Sequence, residues 1–140
     1  MKSKLIVIEG LDGSGKATQT KLLADKLTSM GKTVRKLEFP DYDSPSSSLV
    51  KMYLNGDFGK NPEDVNAYAA SAFYAVDRAA SYLKNWKTDC NNSSVILCDR
   101  YCTSNIIYQM SKVNNDERDS FIEWQSDFEY NKLGLPVPDA

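Results

Sequence analysis

Gly10-Leu11-Asp12-Gly13-Ser14-Gly15-Lys16-Ala17-Thr18 decides how the rest of this 140-residue chain is read. An apolar run, Lys4 to Ile8, leads into it, and a helical pattern from Gly15 to Met30 leads out. The spacing Gly10-x4-Gly15-Lys16 between a strand and a helix is that of a phosphate-binding loop. Glycines let the backbone curl until successive N–H groups point inward. The first helical turn adds unpaired donors and a positive dipole end, and Lys16 adds a mobile cation. Such a nest holds the phosphates of a nucleoside triphosphate, so Gly10 through Thr18 are the expected contacts. One position departs from the pattern: Ala17 stands where a hydroxyl residue that touches Mg²⁺ commonly follows the lysine, and Thr18 lies one step further round.

Composition bounds the rest. The length suits one domain with a moderate core, and 41% apolar with 26% charged residues is ordinary for a soluble globular protein. A net charge of −2 gives no electrostatic footprint for nucleic acid or an anionic membrane, so any phosphate must be held by local donors. No apolar run approaches the ~18 residues of a membrane span, and a strand begins where a signal peptide would carry its apolar region. Three cysteines (Cys90, Cys98, Cys102) lack metal-ligand spacing, and the chain has no histidine. They read as reduced thiols of a cytoplasmic protein, with Cys98 buried in a strand.

In chain order, Lys4–Glu9 is a first strand, nearly all apolar, as a parallel strand covered on both faces should be. The helix after the loop is expected to bury Leu23, Leu27 and Met30 and to stop at Gly31. Lys32–Phe39 completes a right-handed βαβ unit. Phe39-Pro40-Asp41-Tyr42-Asp43-Ser44-Pro45 then leaves the carboxyl end of a parallel strand, where ligands sit in open α/β sheets, although a plain connector is an equal reading. Ser46–Leu54 reads as a short helix ended by Asn55-Gly56.

A long helix is expected over Glu63–Trp86, started by Asn61-Pro62. Its main apolar stripe is Val65, Tyr68, Ala69, Ala72, Phe73, Val76, Ala79, Ala80, Leu83 and Trp86. Roughly opposite lie Ala67, Ser71, Tyr74 and Arg78, either a cavity wall with a stacking ring and a forked donor or a solvated face with a snorkelling arginine. Ser94–Cys98 is a third strand ending in Asp99-Arg100-Tyr101. Asp99 suits a metal-organising carboxylate or a strand-end ion pair, and Arg100 can clamp a phosphate bidentately. Thr103–Lys112 and Asn115–Tyr130 read as helices, with Phe121, Trp124 and Phe128 at core spacing.

Together these segments resemble the thymidylate kinase family of P-loop nucleoside monophosphate kinases, which phosphorylate dTMP to dTDP. The resemblance runs through Glu-Gly-Leu-Asp-Gly-Ser-Gly-Lys at 9–16, Phe-Pro-Asp-Tyr at 39–42, Phe-Tyr-Ala-Val-Asp-Arg at 73–78, Asp-Arg-Tyr at 99–101, Ser-Asn at 104–105, Tyr108, and Gly-Leu-Pro-Val-Pro-Asp at 134–139. It implies that Lys16 and the loop amides hold ATP phosphates, with Lys16, Arg100 and Asp12 as catalytic residues. Asp12 receives the sugar 3′-hydroxyl, Tyr74 stacks on thymine where the family usually has Phe, Arg78 donates to the base O4, and Asn105 pairs with its N3–H or O2 edge. Arg100 and Tyr42 take the dTMP phosphate, Phe39 walls the site, and Tyr108 packs under the sugar. Asp99, with Asp12, organises Mg²⁺.

The family continues beyond the part matched here into another strand, a lid, a fifth strand and an adenine-binding segment. Gly13 resembles members that supply a catalytic arginine from that lid. Residues 1–140 are therefore expected to be one nucleotide kinase domain, the front two-thirds of the family's fold, binding dTMP weakly and turning it over poorly. The expected fold is α/β, a P-loop NTPase-type parallel sheet of order 2-3-1 flanked by helices. The expected function is ATP-dependent phosphoryl transfer to dTMP, with ATP and Mg²⁺ required and a homodimer implied by the resemblance. The alternatives are another deoxynucleotide or nucleoside kinase, or a catalytically weak nucleotide-binding fragment.

Overall fold

The computed structural model describes residues 2–92 and 94–140. Three parallel strands, β1 (Lys4–Ile8), β2 (Val34–Glu38) and β3 (Val95–Asp99), pair in the order β1-β3-β2, the order expected from the sequence. Central β3 is the most buried, as its unbroken Val-Ile-Leu-Cys run requires. On β2, Arg35 and Lys36 face solvent, and charge on an outer strand blunts an otherwise pairable edge. The register aligns Ile8 and Glu38 with Asp99. All three strands therefore end level, and the segments that follow them leave one edge of the sheet together.

Helix α1 (Lys16–Ser29) stops as expected. Gly31, at φ 77°, donates to the Thr28 carbonyl and Lys32 donates to the Leu27 carbonyl, a Schellman closure. Its buried face differs from expectation. Thr20 and Ala24 are buried, Leu23 and Leu27 half-buried, and Met30 is 60% exposed at the C-cap, off the line that 20, 24 and 27 trace.

A turn of 3₁₀ helix, Pro45–Ser47, leads into α2 (Ser48–Leu54). The long helix starts later than its Asn-Pro signal implies. Asn61 and Asp64 close a capping box around a separate turn, Pro62–Asp64, and Val65 is extended. Asn66 then caps α3 (Ala67–Ser81), its side-chain oxygen accepting from the Ala69 N–H at 2.8 Å. A π-helical turn, Tyr82–Trp86, carries the element on.

The face that α3 buries differs from the expected one, although Val65 and Trp86 at the two ends of the expected stripe are buried. Ala67, Ala70, Ser71, Ala75, Asp77, Arg78 and Ser81 are buried, whereas Val76 is 39% and Leu83 65% exposed. Small residues let α3 approach its neighbours closely, and Asp77 and Arg78 find partners far away in sequence.

Helix α4 (Thr103–Gln109) follows β3, and α5 (Arg118–Ser126) continues into a π-helical segment, Asp127–Lys132. Phe121 is fully buried. Trp124, half-buried, stacks on it at 5.9 Å between centroids and on half-buried Phe128 at 5.2 Å, while Gln125 and Glu129 take the buried positions in line with Phe121. The main core joins Leu5, Ile96 and Cys98 of the sheet to Phe39, Trp86, Tyr101, Cys102 and Leu135. Cys98 is buried in β3 as expected, and all three cysteines carry free thiols. Asp139 and Ala140 run along the outer edge of β1. The Asp139 N–H donates to the Leu5 carbonyl at 2.8 Å and the Val7 N–H to the Ala140 carbonyl at 2.9 Å. Among the described residues no helix is long and apolar enough to cross a membrane.

Candidate active site

The loop after β1 folds as its glycines demand. Gly13 and Gly15 adopt φ 76° and 86°, and the Ser14 N–H closes a turn on the Leu11 carbonyl. A Cβ on Gly10 would lie 2.8 Å from Ser14 Oγ, a contact that Ser14 would have to turn to relieve. Helix α1 begins at Lys16 with no side-chain cap and no acidic residue in its first turn among the described residues. Its leading amides and dipole end are thus available to an anion. Ala17 and Thr18 are exposed beside them. Lys16 Nζ pairs with Asp99 Oδ1, both side chains largely shielded from solvent.

A cleft of about 240 Å³ opens beside this loop at the carboxyl edge of the sheet. All eight residues expected at an acceptor nucleotide line it: Asp12, Phe39, Tyr42, Tyr74, Arg78, Arg100, Asn105 and Tyr108. Pro40, Leu54, Ser104 and Gln109 complete the wall. Lys16, Asp99 and the loop from Gly13 onward lie outside the lining, and Asp12 is common to loop and cleft.

Arg100 sits at φ 64°, the one left-handed residue other than glycine among those described. Such strain, of order 1–2 kcal/mol, is tolerated where the surroundings fix the residue. Its Nη2 donates to Asp12 Oδ1 at 2.8 Å, its Nη1 donates to the Tyr108 hydroxyl at 3.0 Å, and its guanidinium lies over the Tyr108 ring. Burial works against its charge, but the Tyr108 hydroxyl and Asp12 carboxylate more than offset this and raise its pKa.

Tyr74 is braced from behind by Tyr53, edge-on at 6.3 Å, whose hydroxyl accepts from Lys112 Nζ at 2.7 Å. Burial, with the neighbouring Tyr42 and Tyr53, pushes the Tyr74 phenol up to about 12 and keeps it neutral. Arg78, Asn105 and Gln109 are the buried polar members of the wall. Asn105 Nδ2 donates to the Ser71 carbonyl at 3.0 Å. Arg78 is buried, which removes the solvated-face reading of its stripe.

Several residues that hold this arrangement carry no local signal of their role. Glu9 accepts from the Tyr101 N–H at 3.1 Å and the Ser104 hydroxyl at 2.7 Å, tying β1 to the start of α4. Asp77 accepts from the Asp41 N–H at 2.8 Å and from the Ser46 hydroxyl, fixing the 39–46 loop against α3. Gln109 Oε1 is buried without a hydrogen-bond partner among the described residues. It lies four positions beyond Asn105 on α4, so helical spacing from Asn105 could have found it.

Asp99 and Asp12, the expected metal carboxylates, are each engaged by a cation, and no cluster of three metal-ligating side chains occurs among the described residues. One carboxylate still suffices for Mg²⁺ held mainly by substrate phosphates and water. Asp99, at the strand end and paired with Lys16 of the phosphate loop, fits that role better than Asp12, which lines the neighbouring cleft.

The family model for thymidylate kinase matches residues 8–129. The thymidylate kinase of Mycobacterium tuberculosis is 32% identical over 136 residues, covering 96% of this chain and 62% of that protein. That of Pelotomaculum thermopropionicum is 37% identical over 109 residues, 78% of this chain and 49% of its own length. Among solved structures, Candida albicans thymidylate kinase superposes with a TM-score of 0.69 at 29% identity, covering 99% of this chain and 60% of that one. The Ehrlichia chaffeensis enzyme gives 0.69 at 26% identity, with 99% and 74% covered. The chain thus spans from about half to three-quarters of the length of these relatives. With the match reaching from the end of β1 to Glu129, the chain belongs to the thymidylate kinase family.

Proposed function

We propose that the protein transfers the γ-phosphoryl group of ATP to dTMP, giving dTDP. What carries the reading is the convergence of all eight expected acceptor residues on one cleft beside the phosphate loop. The lining holds two arginines against one carboxylate, Asp12, which suits an acceptor that is already an anion.

In this reading the amides of Gly10–Thr18 and Lys16 hold the ATP phosphates. Arg100 and Tyr42 take the dTMP phosphate, Asp12 the 3′-hydroxyl, and Tyr108 the underside of the sugar. Tyr74 stacks on thymine, Arg78 donates to O4, and Asn105 meets the N3–H or O2 edge. Asp99 would hold Mg²⁺, which when bound screens phosphate charge. The chain's own work is alignment and charge neutralisation, since phosphoryl transfer asks for little covalent chemistry from a protein.

The free thiols suit a reducing cytoplasm. The net charge of −2 offers nothing to a nucleic-acid backbone. We further propose a homodimer, because Val76 of α3 and Leu83 of the π-helical turn that follows it are exposed, beside half-buried Ala69 and Ala72.

Calorimetric titration with dTMP, dUMP, dCMP and thymidine tests the acceptor site. dTMP should bind best, and thymidine, without a phosphate for Arg100, at least about tenfold more weakly. Tyr74→Ala and Arg78→Ala should each weaken dTMP by about 1–3 kcal/mol through lost stacking or an unpaired base carbonyl, with an ATP analogue barely affected. Equal losses for dTMP and the analogue would place these residues elsewhere.

A further inference from the structure

Behind the cleft, α3 faces the π-helical end of α5 across a buried ion pair. Arg78 and Glu129 side chains are 2% and 0% exposed, and Arg78 Nε donates to Glu129 Oε1 at 2.7 Å. Glu129 is itself fixed. Gln125 Nε2 donates to its second oxygen at 2.9 Å and to the Cys102 carbonyl at 2.6 Å. Arg78 Nη2 is buried with no hydrogen-bond partner among the described residues, although Arg78 lines the cleft.

Stability does not explain this pair, because replacing a buried ion pair by apolar residues is often neutral or stabilising. Geometry does. A guanidinium carries five donors in one rigid plane and no acceptor. Tying Nε from behind fixes that plane and leaves Nη2 without a protein partner at the wall of the cleft.

We infer that Glu129 is a positioning residue for base selection: it holds Arg78 so that the cleft takes pyrimidines with a carbonyl at C4 and rejects those with an amino group there. A 4-amino group would set donor against donor. A guanidinium free to turn away would lose that discrimination along with affinity for the 4-keto base. The inference rests on the reading of Arg78 as a base contact, and its test separates the two.

The experiment is a double-mutant cycle read by calorimetry with dTMP and dCMP on the wild-type chain, Arg78→Ala, Glu129→Gln and the double variant. Glu129→Gln should weaken dTMP about tenfold and dCMP less than about threefold, narrowing the ratio between them. Glu129→Asp, which keeps the charge but draws the carboxylate back by one methylene, should fall between. With Arg78 already alanine, Glu129→Gln should change dTMP binding less than about twofold. The same loss with and without Arg78 would overturn the inference, since it would mean a general effect on the fold. So would unchanged dTMP binding in Glu129→Gln while Arg78→Ala is impaired. Unchanged binding in Arg78→Ala itself would overturn both this inference and the base-contact reading. If Glu129→Gln does not fold, Gln125→Leu serves the same cycle. It keeps the ion pair but removes the amide that steers Glu129, and about a threefold loss confined to the Arg78-containing background is expected. No loss there would overturn the inference.

Discussion

Lys16 and Asp99 pair at the carboxyl edge of the sheet, their side chains 13% and 14% exposed. From sequence alone Lys16 reads as an exposed loop cation with little bearing on the fold. In the structure it neutralises a carboxylate that is itself largely withdrawn from water, and removing one partner of such a pair strands the other. Lys16→Ala should therefore cost about 1–3 kcal/mol of unfolding free energy, read by urea titration, as well as weakening an ATP analogue at least tenfold. An unchanged urea midpoint would show the pair to be incidental. Lys16→Met fills the space without the charge and should lose as much analogue binding. Arg100 is a second residue whose character is not written in its neighbours. Its type and place after β3 are legible in Asp-Arg-Tyr, but its left-handed backbone and its contacts with Tyr108 and Asp12, which come from other elements, are not.

At the scale of elements, α3 carries two apolar-looking stripes, and periodicity alone favours the wrong one. The buried stripe contains Ser71, Asp77, Arg78 and Ser81. Each lowers its hydrophobicity, and partners such as Asp41, Ser46 and Glu129 lie 31 to 51 residues away. No window of sequence records those pairings. The existence of the strands and the cap at Gly31 were legible because they follow from apolar runs and glycine, whereas the strand order came with the family resemblance. The start of α3 was not, because Asn61 and Asn66 are tandem caps and only one can open the helix. Asp77→Ala should leave the Asp41 N–H and the Ser46 hydroxyl unpaired, at a cost of about 1–3 kcal/mol. It should loosen the loop that carries Tyr42. Calorimetry should then show weaker dTMP binding with thymidine little changed. Equal losses for both ligands would mean that Asp77 supports the whole cleft rather than the phosphate end.

At the scale of the molecule, three strands ending level bring the phosphate loop, the Phe39–Tyr42 loop and Asp99-Arg100 to one edge, and α3 and α4 supply the remaining wall. Asp12, Phe39, Tyr42 and Arg100 were legible as residues at strand ends, whereas Asn105 and Tyr108 on α4, and the choice of the cavity-wall reading for Tyr74 and Arg78, came with the family resemblance. The site's supports, Glu9, Asp77, Gln125 and Glu129, were not legible, because they act across the core. The outer face of α3 belongs to the same scale. Val76→Lys with Leu83→Lys should leave the protomer folded, read by circular dichroism, because both side chains are solvent-exposed on the single chain. The pair should also convert a sedimenting dimer to monomer, whereas a dimer that persists would place the contact on another face. The most direct test of the account is a crystal structure of the chain with dTMP. The account predicts the base against Tyr74 with O4 toward Arg78, and the phosphate at Arg100. A nucleotide found with its phosphate in the Gly10–Thr18 loop and its base outside the cleft would contradict it.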